Sequence, residues 1–198
     1  MSSLFLRNLD EHQQVMTLLP ALESAVEQAG QTLAQVLAQG GKILFCGNGG
    51  SAADSQHMAA ELTGRFIKDR RPLAAIALST DSSALTCIGN DYAFAEVFAR
   101  QLTALARPGD ALVAISTSGN SANVIRAAHA AHAAGVLVIG LLGRDGGQLK
   151  AICDQAIVVP GAATARIQEA HILIGHIWSE LVERELFPDA PPAHDSLP

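Results

Sequence analysis

Five short apolar segments recur along this chain, and segments of helical pattern lie between them. Strands that are apolar on both faces and separated by helices form a parallel sheet that is covered on both sides. We therefore predict an α/β fold of three layers, αβα, with a five-stranded parallel sheet. The predicted strands are residues 43–46, 74–78, 111–116, 136–142 and 156–159.

A long helical pattern precedes the first strand. Apolar residues recur at three- and four-residue steps over residues 9–38, and Pro20 is expected to divide this stretch into two helices. This apolar stripe exceeds what one sheet face needs, so we expect part of it to pack against a second subunit. At the other end of the chain, the proline-rich residues 188–198 are predicted to be disordered.

Composition excludes several classes of protein. Hydrophobic residues make up 49% of the chain and charged residues 16%, which rules out global disorder. The net charge of −6 and the lack of a basic cluster argue against a nucleic-acid partner. The longest apolar run is far shorter than the roughly 20 residues of a membrane helix. Three scattered cysteines without a CxxC pair indicate free thiols in a reducing cytoplasm.

A glycine-rich loop follows the first predicted strand. Residues 47–51 read GNGGS and lead directly into a helical segment. Free amides and the positive end of the helix dipole then meet at one point, where a phosphate is the natural ligand. The loop also matches a dinucleotide-binding pattern, G-x-G-x-x-A. The acidic residue that this pattern requires is poorly matched, because Asp81 lies 34 residues after Gly47.

A second polar loop follows the third predicted strand. Residues 116–121 read STSGNS and precede another helix, which predicts a second anion site with hydroxyl donors. The alternative is that Ser121 or Asn120 only caps the helix. Capping would account for one residue of the loop but not for four hydroxyl groups.

The helix after the glycine loop carries a histidine and a glutamate. His57 and Glu61 are four residues apart and therefore lie on one face. Such a pair is usually a surface ion pair. Together with the phosphate loop, it points instead to an enzyme that acts on a phosphorylated small molecule.

Four motifs in order carry a resemblance to a known family. GNGGSAADSQHMAAELTGRF, IGNDYAF, ISTSGNSANVIRAA and RIQEAHILIGHI resemble the sugar isomerase (SIS) domain family, and more narrowly the phosphoheptose isomerases. The resemblance implies a flavodoxin-like SIS domain over residues 41–187, with residues 1–40 as a helical oligomerisation segment. It also implies a homotetramer with active sites between subunits and one Zn²⁺ per subunit. The implied reaction converts sedoheptulose 7-phosphate to D-glycero-D-manno-heptose 7-phosphate, which feeds bacterial lipopolysaccharide core synthesis.

The resemblance also implies roles for particular residues. Glu61 and His176 match the catalytic pair, and the metal positions match His57, Glu61, Gln168 and His176. Glu61 and Gln168 also count among the substrate contacts. The remaining substrate-binding positions are Asn48, Gly49, Gly50, Ser51, Arg65, Asn90, Asp91, Ser116, Thr117, Ser118 and Ser121. Without a motif match, His171 is predicted to be a packed or exposed helix residue, and Glu169 stays open between a site residue and a helix-terminal carboxylate.

The chemistry of aldose–ketose interconversion agrees with this assignment. The reaction needs a base at carbon, a proton donor at oxygen and stabilisation of an oxyanion. Glu61 suits the base and His176 the acid or relay, but a Glu61 that binds zinc is a poorer base, and both roles stay open. Gln168 and His176 are roughly 12 Å apart along one helix, which favours a site shared between subunits or a distorted helix.

Two other functions compete with the isomerase. Some SIS proteins are non-catalytic adaptors that bind the bacterial replication initiator, and they look substituted at the catalytic positions. The presence of Glu61 and His176 favours the enzyme. A sugar-phosphate-sensing regulator would normally carry a DNA-binding domain, for which this chain offers neither length nor charge.

Overall fold

The computed structural model describes residues 3–193, and they form one parallel sheet between two helical layers. The strand order is β2-β1-β3-β4-β5, which is the flavodoxin-like order. The predicted five-stranded parallel sheet is confirmed. The strands are β1 (Ile43–Cys46), β2 (Ala75–Ala77), β3 (Ala111–Ser116), β4 (Leu137–Gly143) and β5 (Gln155–Val159).

Eight α-helices surround the sheet within the described part of the chain. Pro20 lies in a 3₁₀ helix, Leu19–Leu22, that separates the first two, as predicted. Val136, predicted to begin a strand, instead donates its amide to Ala131 and closes the end of a helix. The helices are α1 (Leu4–Met16), α2 (Glu23–Ala38), α3 (Gly50–Thr63), α4 (Ser82–Asp91), α5 (Val97–Leu105), α6 (Ala122–Ala133), α7 (Leu149–Ile152) and α8 (Thr164–Leu186).

Alternate residues of each strand enter two separate cores. Ile43 and Phe45 of β1 pack in the layer that contains α2, α3 and α8. Leu44 and Cys46 face the opposite layer, which contains α5 and α6. Because α3 and α8 cover the same face of the sheet, their side chains can meet. The buried residues of α2 belong to this same core.

The order of the strands brings two loops together. β1 lies between β2 and β3, so the chain leaves β1 toward one side of the sheet and later returns to its other side. The loops after β1 and β3 therefore adjoin each other at the carboxyl edge of the sheet, at a topological switch point. Ligands of open parallel sheets bind at this place.

The first part of the C-terminal tail is ordered, contrary to the prediction of disorder. Pro191 accepts a hydrogen bond from the Asp69 amide at 3.0 Å, and the Ala193 amide donates to Ile67 at 2.8 Å. Backbone pairing overrides the proline-rich composition here because a neighbouring segment supplies the partners. Residues 194–198 of the predicted tail lie outside the described residues.

Candidate active site

The glycine loop, residues 47–51, leads into α3 and has a backbone that requires glycine. Gly49 has φ +57°, and a Cβ added at Gly47 would lie 2.7 Å from the Ser51 carbonyl oxygen. α3 begins at Gly50 without a side-chain cap. The Ser51 and Ala52 amides of this first turn donate to the Asn48 and Gly49 carbonyl oxygens at 3.0 and 3.1 Å, and the helix dipole favours negative charge at this end.

The hydroxyl loop, residues 116–121, is folded around its own side chains. Ser116 Oγ accepts a hydrogen bond from the Gly119 amide at 3.1 Å and lies 3.1 Å from Ser121 Oγ. Ser121 occupies the N-cap position of α6, yet its side chain makes no capping hydrogen bond. The alternative in which Ser121 serves as a side-chain cap is therefore wrong, and its hydroxyl group pairs with that of Ser116 instead.

An amide pair joins the two loops. Asn48 Nδ2 donates to Asn123 Oδ1 at 2.8 Å, and Asn123 Nδ2 donates back to Asn48 Oδ1 at 2.8 Å. Asn123 is buried and also accepts from the Val124 amide. Asn123 was not among the predicted site residues. Its sequence signal was a polar residue in the first turn of the helix after the hydroxyl loop.

Three of the four predicted metal residues converge on the outer surface of α3 and α8. His57 Nε2 lies 3.0 Å from Glu61 Oε1 and 3.1 Å from His176 Nε2. One ligand atom from each of the three side chains lies within 4.8 Å of the others. Two imidazoles and a carboxylate form a common zinc ligand set, and with three protein ligands one position stays open for substrate. The donor set thus suits a divalent metal ion.

Close packing of two parallel helices sets this convergence. A Cβ added at Gly175 of α8 would lie 2.4 Å from Met58 Sδ of α3, so glycine permits the close approach. His57 and His176 are the sequence neighbours of these two residues. Phe66, just after α3, stacks on the His176 ring with centroids 5.5 Å apart and an interplanar angle of 20°.

Gln168 lies at a different level from the other predicted metal residues. A Cβ added at Gly50 would lie 2.4 Å from Gln168 Nε2, which places this amide beside the first turn of α3. Gly50 precedes His57 by seven residues, or about 10 Å along the helix axis. Within one chain, Gln168 therefore lies beside the glycine loop, about two helical turns from the His57 level.

Two titratable groups near the site, the half-buried Asp54 and the buried His171, were not assigned to it from sequence. Burial raises the pKa of Asp54 to about 6, while the nearby His57 opposes this shift. Asp54, His57 and Glu61 follow helical spacing, which was the available signal. His171 is packed, as one of the two predicted possibilities had it, and its Nε2–H donates to the Leu142 carbonyl at 3.0 Å. Burial lowers the pKa of His171 to about 4.

The other predicted substrate residues lie outside the two loops. Arg65 is exposed and lies two residues after the end of α3. Asn90 and Asp91 form the last turn of α4 and hydrogen-bond each other at 2.8 Å. α4 packs mainly against α5 and the 3₁₀ helix Phe94–Glu96, so this chain does not bring them to the His57 cluster.

Glu169 binds the N-terminal helix rather than the cluster. Its two oxygens accept from His12 Nδ1 at 2.7 Å and from Arg166 at 3.0 Å.

Among the described residues, no helix combines the length and hydrophobicity that crossing a membrane requires.

The fold and the switch-point loops define a class of protein, and comparison with known sequences agrees. The SIS domain family matches residues 9–143 of this chain. The phosphoheptose isomerase of Helicobacter hepaticus is 54% identical over 181 residues, which cover 91% of this chain and 90% of the relative. That of Nitratiruptor sp. is 63% identical over 142 residues, 72% of this chain and 76% of the relative.

Solved structures give the same result. Phosphoheptose isomerase GmhA from Neisseria gonorrhoeae is 50% identical with a TM-score of 0.82, and the match covers 90% of this chain and 94% of the other. A phosphoheptose isomerase from Francisella tularensis is 37% identical with a TM-score of 0.89, covering 93% and 100%. The chain belongs to the phosphoheptose isomerase family of SIS-domain enzymes.

Proposed function

We propose that the chain interconverts sedoheptulose 7-phosphate and D-glycero-D-manno-heptose 7-phosphate through an enediol. The convergence of His57, Glu61 and His176 carries this proposal, because it brings a carboxylate together with two imidazoles, two of these three groups on the helix that follows the glycine loop. The curated relatives named phosphoheptose isomerase supply the substrate class.

Two side chains are proposed to move the protons. Glu61 removes the proton from C1 of the ketose while His176 donates a proton to the carbonyl oxygen at C2, which gives the neutral enediol. His176 then accepts the hydroxyl proton from O1, and Glu61 returns its proton to C2. The C1–H bond is broken and a C2–H bond is formed, so no redox partner is needed. Acid–base catalysis of this kind typically contributes about 10²- to 10⁴-fold.

His57, Glu61 and His176 are proposed to hold one Zn²⁺ ion, with Gln168 as a weaker fourth ligand. A bound zinc ion would polarise the substrate oxygens and stabilise negative charge on them. Glu61 and His176 appear in both proposed roles. Activity measured after chelation separates the roles, because a metal-free enzyme with full kcat would assign both residues to proton transfer alone.

The phosphate is proposed to bind between the two loops. The Ser116, Thr117, Ser118 and Ser121 hydroxyl groups would donate to its oxygens, and the positive end of the α3 dipole would favour its charge. Ser121 supports this role because its hydroxyl makes no capping hydrogen bond to α6. Asn48, Gly49, Gly50 and Ser51 would line the sugar pocket, with Arg65, Asn90, Asp91 and Gln168 completing the set of substrate contacts.

We propose a homotetramer whose active sites lie between subunits, with residues 1–40 contributing to the contacts. An apolar groove of about 500 Å³ lies between α2, its preceding 3₁₀ helix and α8. Leu173 and Ile177 of α8 remain 41% and 37% exposed, and Phe5 of α1 73%. The distance of Gln168 from the His57 level supports a contribution from a second subunit.

Mixing inactive chains tests the shared site. Glu61→Gln chains mixed with His176→Ala chains should regain partial activity if the two residues serve one site from different subunits. They should regain no activity if one chain supplies both residues, the arrangement that the contact between His57 and His176 within one chain favours. In the second case Gln168→Ala mixed with His176→Ala is the informative pair.

Direct assay tests the proposed reaction. Incubation of the purified chain with sedoheptulose 7-phosphate should give an aldose 7-phosphate, and Glu61→Gln should abolish it with the fold intact. Absence of turnover with this substrate would refute the proposal. The adaptor alternative predicts no turnover and binding to the replication initiator.

We place the enzyme in the cytoplasm, where its product would feed lipopolysaccharide heptose synthesis. The free cysteines support a reducing compartment.

A further inference from the structure

A buried ion pair lies beyond the candidate site and takes no part in the proposed reaction. Arg70 Nε donates to Glu183 Oε1 at 3.0 Å, and both side chains are 1% exposed. Arg70 lies in the segment after α3, and Glu183 lies on α8, seven residues after His176. Buried ion pairs seldom stabilise a fold more than apolar residues would, whereas they can fix one particular arrangement.

Glu183 holds the backbone that follows α3. Its Oε1 accepts from the Phe66 amide at 2.9 Å, and its Oε2 accepts from the Ile67 and Lys68 amides at 2.9 and 2.8 Å. With Arg70, the carboxylate has four donors. An ionised carboxylate accepts such bonds more strongly than a neutral amide does, so this backbone is firmly anchored to α8.

Arg70 closes the end of the helix that carries two of the cluster residues. Its guanidinium donates to the carbonyl oxygens of Glu61, Leu62 and Gly64 at 2.7, 2.9 and 2.9 Å. These carbonyls belong to the end of α3, where helix oxygens lack helical partners. A cation at this end is favoured by the helix dipole.

Phe66 connects this anchor to the cluster. The Phe66 amide binds Glu183, while its ring stacks on His176 at 5.5 Å between centroids. His176 in turn faces His57. One ion pair therefore contacts both the backbone of Glu61 and the backbone of Phe66, whose ring packs on His176.

We infer that Arg70 and Glu183 are positioning residues that hold the His57–Glu61–His176 cluster in its converged geometry. The inference rests on the proposed function, in which this cluster binds metal and transfers protons. Loss of either partner leaves α3 and α8 in the core but releases Phe66 and the last turn of α3. Outer partners of metal ligands typically change metal affinity or activity by about 10- to 100-fold.

Zinc affinity tests the inference without substrate. Zn²⁺ alone is titrated calorimetrically into the wild type, Glu183→Gln, Arg70→Lys and Phe66→Leu, and the melting temperature of each is recorded. We expect Kd for zinc to rise about 10-fold or more in the two ion-pair variants and by a smaller factor in Phe66→Leu. On the heptose phosphate, kcat should fall while KM stays near the wild-type value, because the phosphate loops are untouched.

Asp110→Asn is the matched control. Asp110 is also buried and accepts from the Lys42 side chain and from the Lys42 and Arg107 amides, but it precedes β3 at the opposite edge of the sheet. Its loss should lower the melting temperature and leave Kd unchanged. Equal values of Kd in Glu183→Gln and Asp110→Asn would overturn the inference. If the ion-pair variants fail to fold, an unchanged Kd and kcat in Phe66→Leu would overturn it. If the wild type turned over substrate but bound no zinc, the inference would be refuted, whereas the proposed isomerase activity would be unaffected.

Discussion

Replacing Gly119 with alanine should displace the hydroxyl loop and thereby weaken the proposed phosphate site. Gly119 has φ +65°, and an added Cβ would lie 1.9 Å from the Gly146 carbonyl oxygen. Real Cβ contacts are essentially never below 3.0 Å, so either the hydroxyl loop or the loop after β4 that contains Gly146 must move by about 1 Å. Displacements of this size can cost about 100-fold in rate, which corresponds to about 2.7 kcal/mol of transition-state stabilisation.

The measurement is kcat/KM with sedoheptulose 7-phosphate, together with the dissociation constant of inorganic phosphate. Gly109→Ala is the control, because Gly109 has φ +91° with nothing within 4 Å of an added Cβ. Both variants incur a similar backbone cost of about 1–2 kcal/mol for a side chain in the left-handed region. Only Gly119→Ala adds the collision. A folded Gly119→Ala enzyme whose kcat/KM stayed within about threefold of the control would refute the reasoning.

Three further substitutions have separate expected outcomes. Glu61→Gln should lower kcat by about 10²- to 10⁴-fold with an unchanged melting temperature, and a retained kcat would exclude Glu61 as the base. Ser121→Ala should raise KM for the heptose phosphate with little loss of stability, since its hydroxyl caps no helix and pairs with the Ser116 hydroxyl; a much lower melting temperature with unchanged KM would contradict this. Burial lowers the pKa of His171 from 6.5 to about 4, so its contribution to stability is present above pH 6.5 and is lost as the pH falls toward 4. Urea unfolding should show about 3 kcal/mol of this acid dependence, and it should vanish in His171→Gln, whereas parallel pH curves for the two proteins would count against it.

The raised pKa of Asp54 gives the opposite dependence on pH. Its folded-state pKa is about 6 against an ordinary value of 3.8, so its contribution to stability is present below pH 3.8 and is lost as the pH rises through 6. Asp54 and His171 therefore partly cancel in the wild type between pH 4 and 6. The difference between wild type and His171→Gln isolates the histidine, because Asp54 is common to both.

Much of the fold was predictable because it depends on local burial. The apolar segments indicated the strands, and the parallel sheet brought the loops after β1 and β3 to one edge. The differences arose where a residue had a nonlocal or terminal hydrogen bond. Val136 closes α6 through Ala131, and residues 191–193 pair with the segment after α3. Composition cannot indicate such partners.

The candidate site was predicted only in part. The spacing of His57 and Glu61 placed both on one helical face, and the structure has them there. His176 was assigned to the site from the family resemblance, and its contact with His57 is visible only in the tertiary structure. Gln168, grouped with the same residues by that resemblance, lies beside Gly50 in this chain. The only sequence signal for Asn123 was a polar residue just after the hydroxyl loop, and its pairing could not be predicted because its partner Asn48 is 75 residues away.

The sequence by itself determined which segments are strands, where the glycines and hydroxyl groups follow them, and which face of each helix is polar. These are properties of neighbours along the chain, set by backbone geometry and by burial. Only the tertiary structure decided how far α8 is displaced along α3, and this displacement brings His176 to His57 but leaves Gln168 at Gly50. Helical periodicity specifies the buried face of a helix but not its axial register against a partner more than 100 residues away. Contacts such as Met58 against Gly175 set that register.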